Sequence, residues 1–334
     1  MRAIPPSELL ILTGEHVRRL MPMGECIPII ERTMRGVSAG RAALPLRIAA
    51  RIPASRNLIA TMPGYLAEPE TLGSKVIAVF PENAARGLSS HMGVVVLFDP
   101  KRGVPVAIVD AASITGIRTA AATAVATRAL ARADAANLAI FGTGEQAEAH
   151  LVALLGIRSW KSIVVWGRSA EKARDLAERF SRQMGRQIEH RARAQEAAAA
   201  ADVICTTTSS REPILCGDWV RAGTHVNLVG ASLIDAREAD EALVLKSRFF
   251  VDYRPSTVPQ AGELHAAFGG DAERAAAHIR GEIGEVLNGT VPGRTAASEV
   301  TVYKSLGIAA QDLAVAHAVY ERAQAQGLGT RAAV

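Results

Sequence analysis

The chain has 334 residues, 49% of them hydrophobic but only 4% aromatic, so its core must be built from Ala, Val, Ile and Leu. The formal net charge of +5 is dispersed, with basic residues interleaved with Asp and Glu, which reads as a solvated surface rather than a nucleic-acid face. Three cysteines, Cys26, Cys205 and Cys216, have no CxxC spacing; a disulfide framework or a metal site is not expected, and a reducing cytoplasm is.

The length suggests two domains or one large α/β unit. The start, "MRAIPPSELLILTGEHV", carries an apolar stretch too short to cross a membrane, with no small-residue cleavage site behind it. "TGEHVRRLMPMGECIPIIERTMRGVSAGRA" then predicts two amphipathic helices. Thr13 is placed to cap the first, although the capping-box position holds His16 rather than an acid or amide. The stretches "LRIAARIP", "LIATMPGYL", "SKVIAVFP", "HMGVVVLFDP" and "PVAIVDA" predict strands of a largely antiparallel or mixed sheet, with "DPKRGVP" as a hairpin connection.

From about Ile117 the rhythm changes. "IRTAAATAVATRALARA" is a helix by propensity. Strands "NLAIFG", "SIVVWG", "DVICTT", "HVNLVG" and "RFFVD" then follow, the first of them alternating with helices, as in a doubly wound parallel sheet. The last stretch, "SEVTVYKSLGIAAQDLAVAHAVYERAQAQ", reads as one long amphipathic helix.

"LAIFGTGEQAEAH" places Gly142, Thr143, Gly144, Glu145 and Gln146 between an apolar strand and a helix, with a second strand at βαβ distance. Gly142 would permit the tight turn, Gly144 a close approach of pyrophosphate, and Ala147 close packing of helix on sheet. A dinucleotide is therefore expected at the helix N-terminus. The second strand ends in Gly167, Arg168 and Ser169, with no acid to hold a ribose 2′-hydroxyl. An arginine fork suits a 2′-phosphate, so NADP(H) is favoured over NAD(H), which stays open; Arg168 can also be read as a solvated loop residue. Thr206 and Thr207, closing "DVICTT", complete the candidate cofactor residues.

The run "SKVIAVFPENAARGLSSHMGVVVLFDPKRGVPVAIVDAASITGIRTAAATAVATRAL", followed by "AIFGTGEQA" and later "SEVTVYKSLG", resembles the ornithine cyclodeaminase/μ-crystallin family over roughly residues 40 to 320. The resemblance implies a homodimeric NAD(P)-dependent protein acting on a small α-amino or α-imino acid. It also implies a Rossmann domain at residues 119–301, paired with a substrate and dimerisation domain of residues 1–118 with 302–334. Arg47, Lys75 and Arg118 match the family's carboxylate-binding arginine, active-site lysine and second arginine. Arg118 also has a physical argument: a cation near a helix N-terminus opposes the dipole and calls for an anion. His91 matches a histidine of the reductase-like motif, though Met92 departs from it.

Another departure selects among reactions. Where ornithine cyclodeaminases place an aspartate after "HVNLVG", this chain has Ser232, and their following Pro-Gly-Lys is missing; Asp235 matches the ketimine-reductase version of the loop. A serine cannot supply the charge that stabilises iminium intermediates during cyclisation. It can hydrogen-bond a substrate nitrogen or a bridging water, or only its own backbone. The expected activity is NAD(P)H-dependent reduction of a cyclic α-imino acid, foremost Δ1-pyrroline-2-carboxylate to proline, with Lys75 and Ser232 in the chemistry. A cyclodeaminase or amino-acid dehydrogenase of the same family, and a non-catalytic NADPH-dependent binding protein, are the alternatives.

Overall fold

A computed structural model describes residues 8–333, so the first seven residues of the N-terminal stretch lie outside the described residues. The chain divides into two compact units, after Arg118 and again after Gly307.

The first unit holds an eight-stranded mixed sheet. Its strands run in the order Thr330–Ala333, Glu8–Leu12, Pro105–Asp110, His91–Phe98, Glu70–Val79, Leu58–Ala67 and Ala42–Ala43, with Ile48–Arg51 also paired to Leu58–Ala67. Glu8–Leu12 runs parallel to Pro105–Asp110, and the other pairings are antiparallel. Leu58–Ala67 alternates buried and more exposed positions, as a strand with one covered face must. The cover is helical: Met23–Ser38 packs on helix Ala309–Gln326, which in turn crosses the strands. Gly64 and Gly73 let that helix approach. A Cβ at Gly73 would lie 2.8 Å from Leu313 Cδ2, and one at Gly64 would lie 3.1 Å from Leu313 Cδ1.

The second unit is a doubly wound parallel sheet, in the order Glu189–His190, Ser162–Trp166, Asn137–Phe141, Val203–Thr206, His225–Leu228, Val300–Lys304, Ser247–Val251 and Ile279–Glu282. Alternate residues of one strand feed opposite cores. Leu138 and Ile140 pack with Leu151, Leu154, Leu176 and Phe180 from helices Glu145–Ile157 and Ala170–Met184. Ala139 and Phe141 pack instead with Ala197, Ala198 and Leu243 on the other side. Near-continuous apolar strands are what burial on both faces requires.

Several expectations change. The Ala-rich helix starts at Ala111, not Ile117, because the Asp110 carboxylate accepts from the Ser113 N–H at 2.8 Å and caps it. Arg118 therefore sits mid-helix, and the dipole argument for it falls. Val300–Lys304 is a strand between two others, as its Val-Thr-Val-Tyr run favours. The final helix begins only at Ala309, beyond Gly307 at φ +76°. The chain thus returns to the first unit after Gly307 rather than at 302. That helix is also buried on all sides in its first two turns instead of being amphipathic there. At Thr13, the backbone N–H donates to His16 Nδ1 at 3.1 Å, so imidazole fills the capping-box role usually taken by an acid or amide.

Among the described residues no helix is long and apolar enough to cross a membrane, and no cluster of His, Cys, Asp and Glu has metal-site geometry. Cys26, Cys205 and Cys216 are unpaired.

Candidate active site

In the first unit, strand alternation puts Lys75 on the covered face with Thr71, Gly73 and Ile77, where its side chain is almost wholly buried. A buried ammonium needs partners. Lys75 Nζ donates to Asp312 Oδ1 at 3.0 Å and to Thr115 Oγ1 at 2.6 Å. Arg118 Nε donates to the same Asp312 oxygen at 3.0 Å, and its Nη1 to Gln311 Oε1 at 2.9 Å. One fully buried carboxylate thus holds two cations. Those cations hold the Asp312 carboxyl below the usual carboxylate range despite burial, which acts the other way.

Burial pushes the Lys75 pKa down to about 8, with the positive charges of Arg118 and Arg47 adding to that and Asp312 opposing it. Arg47, half-buried just before strand Ile48–Arg51, is close enough to lower the pKa of His91 as well. His91 opens strand His91–Phe98 with an exposed surface, yet enough protein surrounds its ring that desolvation, then Lys75, Arg118 and Arg47, push it down to about 4. Arg47, Lys75, His91 and Arg118, expected from the sequence, therefore share one electrostatic cluster.

An ammonium has three donors and a guanidinium five. Lys75 keeps one N–H, and Arg118 keeps three, beyond the bonds just described. Two rigid cations with donors to spare suit a small carboxylate.

In the second unit, Gly142 takes φ +139°, and a Cβ there would lie 2.4 Å from Thr207 Oγ1. Only glycine fits this turn without strain. Thr207 is committed to it, its N–H donating to Phe141 O at 2.8 Å. Gly144 precedes helix Glu145–Ile157 without a side-chain cap, with open space where a Cβ would be. The first N–H groups of the helix have no intrahelical acceptor and are available to an anion. Gln146 Oε1 is buried beside them without a partner. A Cβ at Gly167 would meet Thr143 Cγ2 at 2.6 Å, so the two turns touch. These features fit a dinucleotide pyrophosphate.

Arg168 is exposed and, among the described residues, makes no hydrogen bond or ion pair. Ser169 caps helix Ala170–Met184, its Oγ accepting from Lys172 N–H at 3.3 Å. Thr206 departs from expectation: it is fully buried and its hydroxyl donates to Glu238 Oε2 at 2.7 Å, so it braces the sheet rather than facing a ligand. The half-buried Ser232 hydroxyl makes no hydrogen bond among the described residues, which removes the reading that it merely bonds its own backbone. Asp235 is exposed and paired with Arg211.

Sequence reasoning passed over five polar residues, the half-buried Thr115 and four that are fully buried. Thr115, Gln311 and Asp312 organise the cation cluster. Glu238 accepts from Thr206 Oγ1 and Thr208 Oγ1, each at 2.7 Å, and from the N–H groups of Thr208 and Gly230, each at 2.6 Å. Burial raises its pKa, against the charge of Lys304. Lys304 donates to Ala231 O at 2.7 Å and Glu263 Oε1 at 2.9 Å, tying down the loop that carries Ser232. A signal existed for two of them: Asp312 and Lys304 are lone charges inside "IAAQDLAVA" and "VTVYKSLG", where an apolar frame implies a buried, paired charge.

The sequence model of the ornithine cyclodeaminase/mu-crystallin family matches residues 7–327. A Δ1-pyrroline-2-carboxylate reductase of Bacillus cereus is 32% identical over 324 residues, covering 97% of this chain and 99% of its own. The mouse ketimine reductase mu-crystallin is 34% identical over 314 residues, 93% of this chain and 96% of its own. Among solved structures, Thermococcus litoralis Δ1-pyrroline-2-carboxylate reductase in complex with NADH and L-proline is 35% identical and superposes with a TM-score of 0.92 over 96% of this chain and 99% of that one. A βαβ glycine turn, a cluster of buried cations and full-length similarity to these proteins converge: the chain belongs to the ornithine cyclodeaminase/mu-crystallin family.

Proposed function

We propose that the protein is an NAD(P)H-dependent reductase of cyclic α-imino acids, with Δ1-pyrroline-2-carboxylate to L-proline as its foremost reaction. The observation that carries this reading is the pair of cations Lys75 and Arg118, fixed by one buried carboxylate and still holding unused donors. The full-length similarity to two Δ1-pyrroline-2-carboxylate reductases supports it.

In this reading Arg118 and Arg47 bind the substrate carboxylate, and the one free N–H of Lys75 is kept for the imine nitrogen. The turn Gly142–Gln146, with Thr143 against Gly167, holds the cofactor pyrophosphate. The bound dinucleotide supplies the hydride, and the protein's part is to position, to exclude water and to deliver a proton. The Lys75 ammonium supplies the proton for the imine nitrogen. Ser232, whose hydroxyl makes no hydrogen bond among the described residues, is assigned to hydrogen-bond the substrate or a bridging water. Without a carboxylate at that position the site is matched to reduction rather than to cyclisation. The exposed, unpaired Arg168 at the end of strand Ser162–Trp166 favours NADPH over NADH.

The partner is a second copy of the chain. Ala50, Ile59, Ala78 and Met92 stand opposite one another across four neighbouring strands. Ile59 is 50% exposed, and Ile48, two residues from Ala50 on the same face, is 68% exposed. Apolar sheet faces of this kind are normally covered. The compartment is the cytoplasm, in keeping with three unpaired thiols.

The test is NADPH oxidation with Δ1-pyrroline-2-carboxylate, run beside ammonia release from ornithine. Turnover of the imino acid without ammonia release supports the reductase. Ammonia release without net NADPH consumption would replace it with a cyclodeaminase, and tight NADPH binding with neither activity would replace it with a binding protein. Sedimentation of the native chain and of Ile59→Lys checks the second copy, the variant being expected to shift toward monomer.

A further inference from the structure

We infer that Thr115 and Asp312 are positioning residues that leave the Lys75 ammonium a single transferable proton and fix its direction. This rests on the reading of Lys75 as proton donor given above.

The argument is one of donors and acceptors. Thr115 Oγ1 donates its own proton to Ala111 O at 2.6 Å, so toward Lys75 it can only accept. Asp312 Oδ1 also only accepts, because Arg118 and Lys75 both donate to it and hold the carboxyl ionised. Two of the three ammonium protons are therefore tied to acceptors that cannot return a proton to the nitrogen. The third N–H is the one that can leave.

The step balances. The free N–H bond of Lys75 breaks and a new N–H bond forms on the imine nitrogen, while hydride from the bound dinucleotide forms the C–H bond at the imine carbon. Lys75 is left as a neutral amine. Its two remaining protons stay on the nitrogen, hydrogen-bonded to Thr115 and Asp312, so its lone pair points where the departed proton had been, and solvent restores the proton after product leaves. A freely rotating ammonium would lose this alignment, and small misplacements are costly in rate.

Charged groups from three elements bear on the charge of Lys75. Asp312 from helix Ala309–Gln326 favours the protonated form, whereas Arg118 from helix Ala111–Leu130 and Arg47 before strand Ile48–Arg51 disfavour it. His91, at the start of strand His91–Phe98, is neutral near pH 7. Asp312 therefore helps fix the direction of the proton and raises the pH above which it is gone, against the larger effect of burial.

The experiment compares the native enzyme with Thr115→Val, Thr115→Ser, Asp312→Asn and Lys75→Met, using pH profiles of kcat with Δ1-pyrroline-2-carboxylate and NADPH. Thr115→Val should lower kcat about tenfold with little change in KM, and Thr115→Ser, which keeps the hydroxyl, should restore it. Asp312→Asn should move the alkaline limb of kcat to lower pH by about one unit or more. If Thr115→Val and Asp312→Asn leave both kcat and the limb unmoved while Lys75→Met is inactive, the positioning role is overturned and Lys75 keeps its own. If Lys75→Met retains kcat and the limb, the proton-donor reading falls, and this inference with it. Should Asp312→Asn fail to fold, the Thr115 pair alone decides: loss in valine with rescue in serine upholds the inference, and equal activity in both overturns it.

Discussion

Lys304 Nζ lies 2.9 Å from the Glu263 carboxylate, and both side chains are fully buried at the end of the central parallel strands. Neither charge reaches water, so each depends on the other. Lys304→Met should destabilise the protein by about 3–5 kcal/mol by leaving Glu263 charged and unpaired. The double change Lys304→Met with Glu263→Gln should recover part of the loss. Urea unfolding of the two singles and the double checks this; additive losses would contradict direct coupling.

The cofactor preference has its own measurement. Arg168 has no partner to lose among the described residues, so Arg168→Ala should leave stability unchanged. It should weaken NADPH binding about 10- to 100-fold, the worth of a charge-assisted hydrogen bond or two, and leave NADH within about twofold. Fluorescence titration of both cofactors gives the ratio. Tighter binding of NADH than NADPH by the native protein would remove the role assigned to Arg168.

Gly142→Ala tests the turn. A methyl group there would sit 2.4 Å from Thr207 Oγ1 on a backbone at φ +139°, so the turn must open. Dinucleotide affinity should fall at least about tenfold by titration. An unchanged Kd would show that the pyrophosphate does not use this turn.

Two buried histidines make stability sensitive to acid. His150 Nδ1 must carry the proton, because it bonds the Gln146 carbonyl at 2.6 Å; Nε2 then accepts from Thr123 Oγ1 at 3.0 Å. Burial holds His150 neutral, its pKa pushed down to about 4, and His225, where Arg294 adds to burial, down to about 3. Both lie below the unfolded value of about 6.5, so between these limits the unfolded chain binds more protons and stability rises with pH. The contribution is complete above about pH 6.5 and drains away as pH falls toward the folded values, at about 3 kcal/mol per pH unit for the pair. Urea midpoints at pH 7, 6, 5 and 4 should show it, and His150→Gln should reduce the slope by about 1.4 kcal/mol per pH unit. A variant slope equal to the native one would exclude His150.

How much of this was legible in the sequence follows from what each feature depends on. The strand-turn-helix around Gly142 was readable because its determinants lie within a dozen residues: an apolar run, a left-handed glycine and a helix-forming stretch. The parallel sheet was readable for the same reason, repeated. Helix and strand at Ser298–Ile308 were confused because the strand is short and its partners, His225–Leu228 and Ser247–Val251, lie some fifty residues or more away. The start of helix Ala111–Leu130 was misplaced because the Asp110 cap competes with strand signals just before it.

By itself, the sequence determined the α/β plan, the strand-glycine-helix turn at Gly142 and a surplus of cations whose types suit a carboxylate. The pairings inside the site were decided only by the tertiary structure. Asp312 lies 237 residues from Lys75 and 194 from Arg118, yet all three meet on one oxygen. No local periodicity encodes that meeting. It arises because two cations buried beneath a helix must find a carboxylate, and chain folding alone brings one within 3.0 Å.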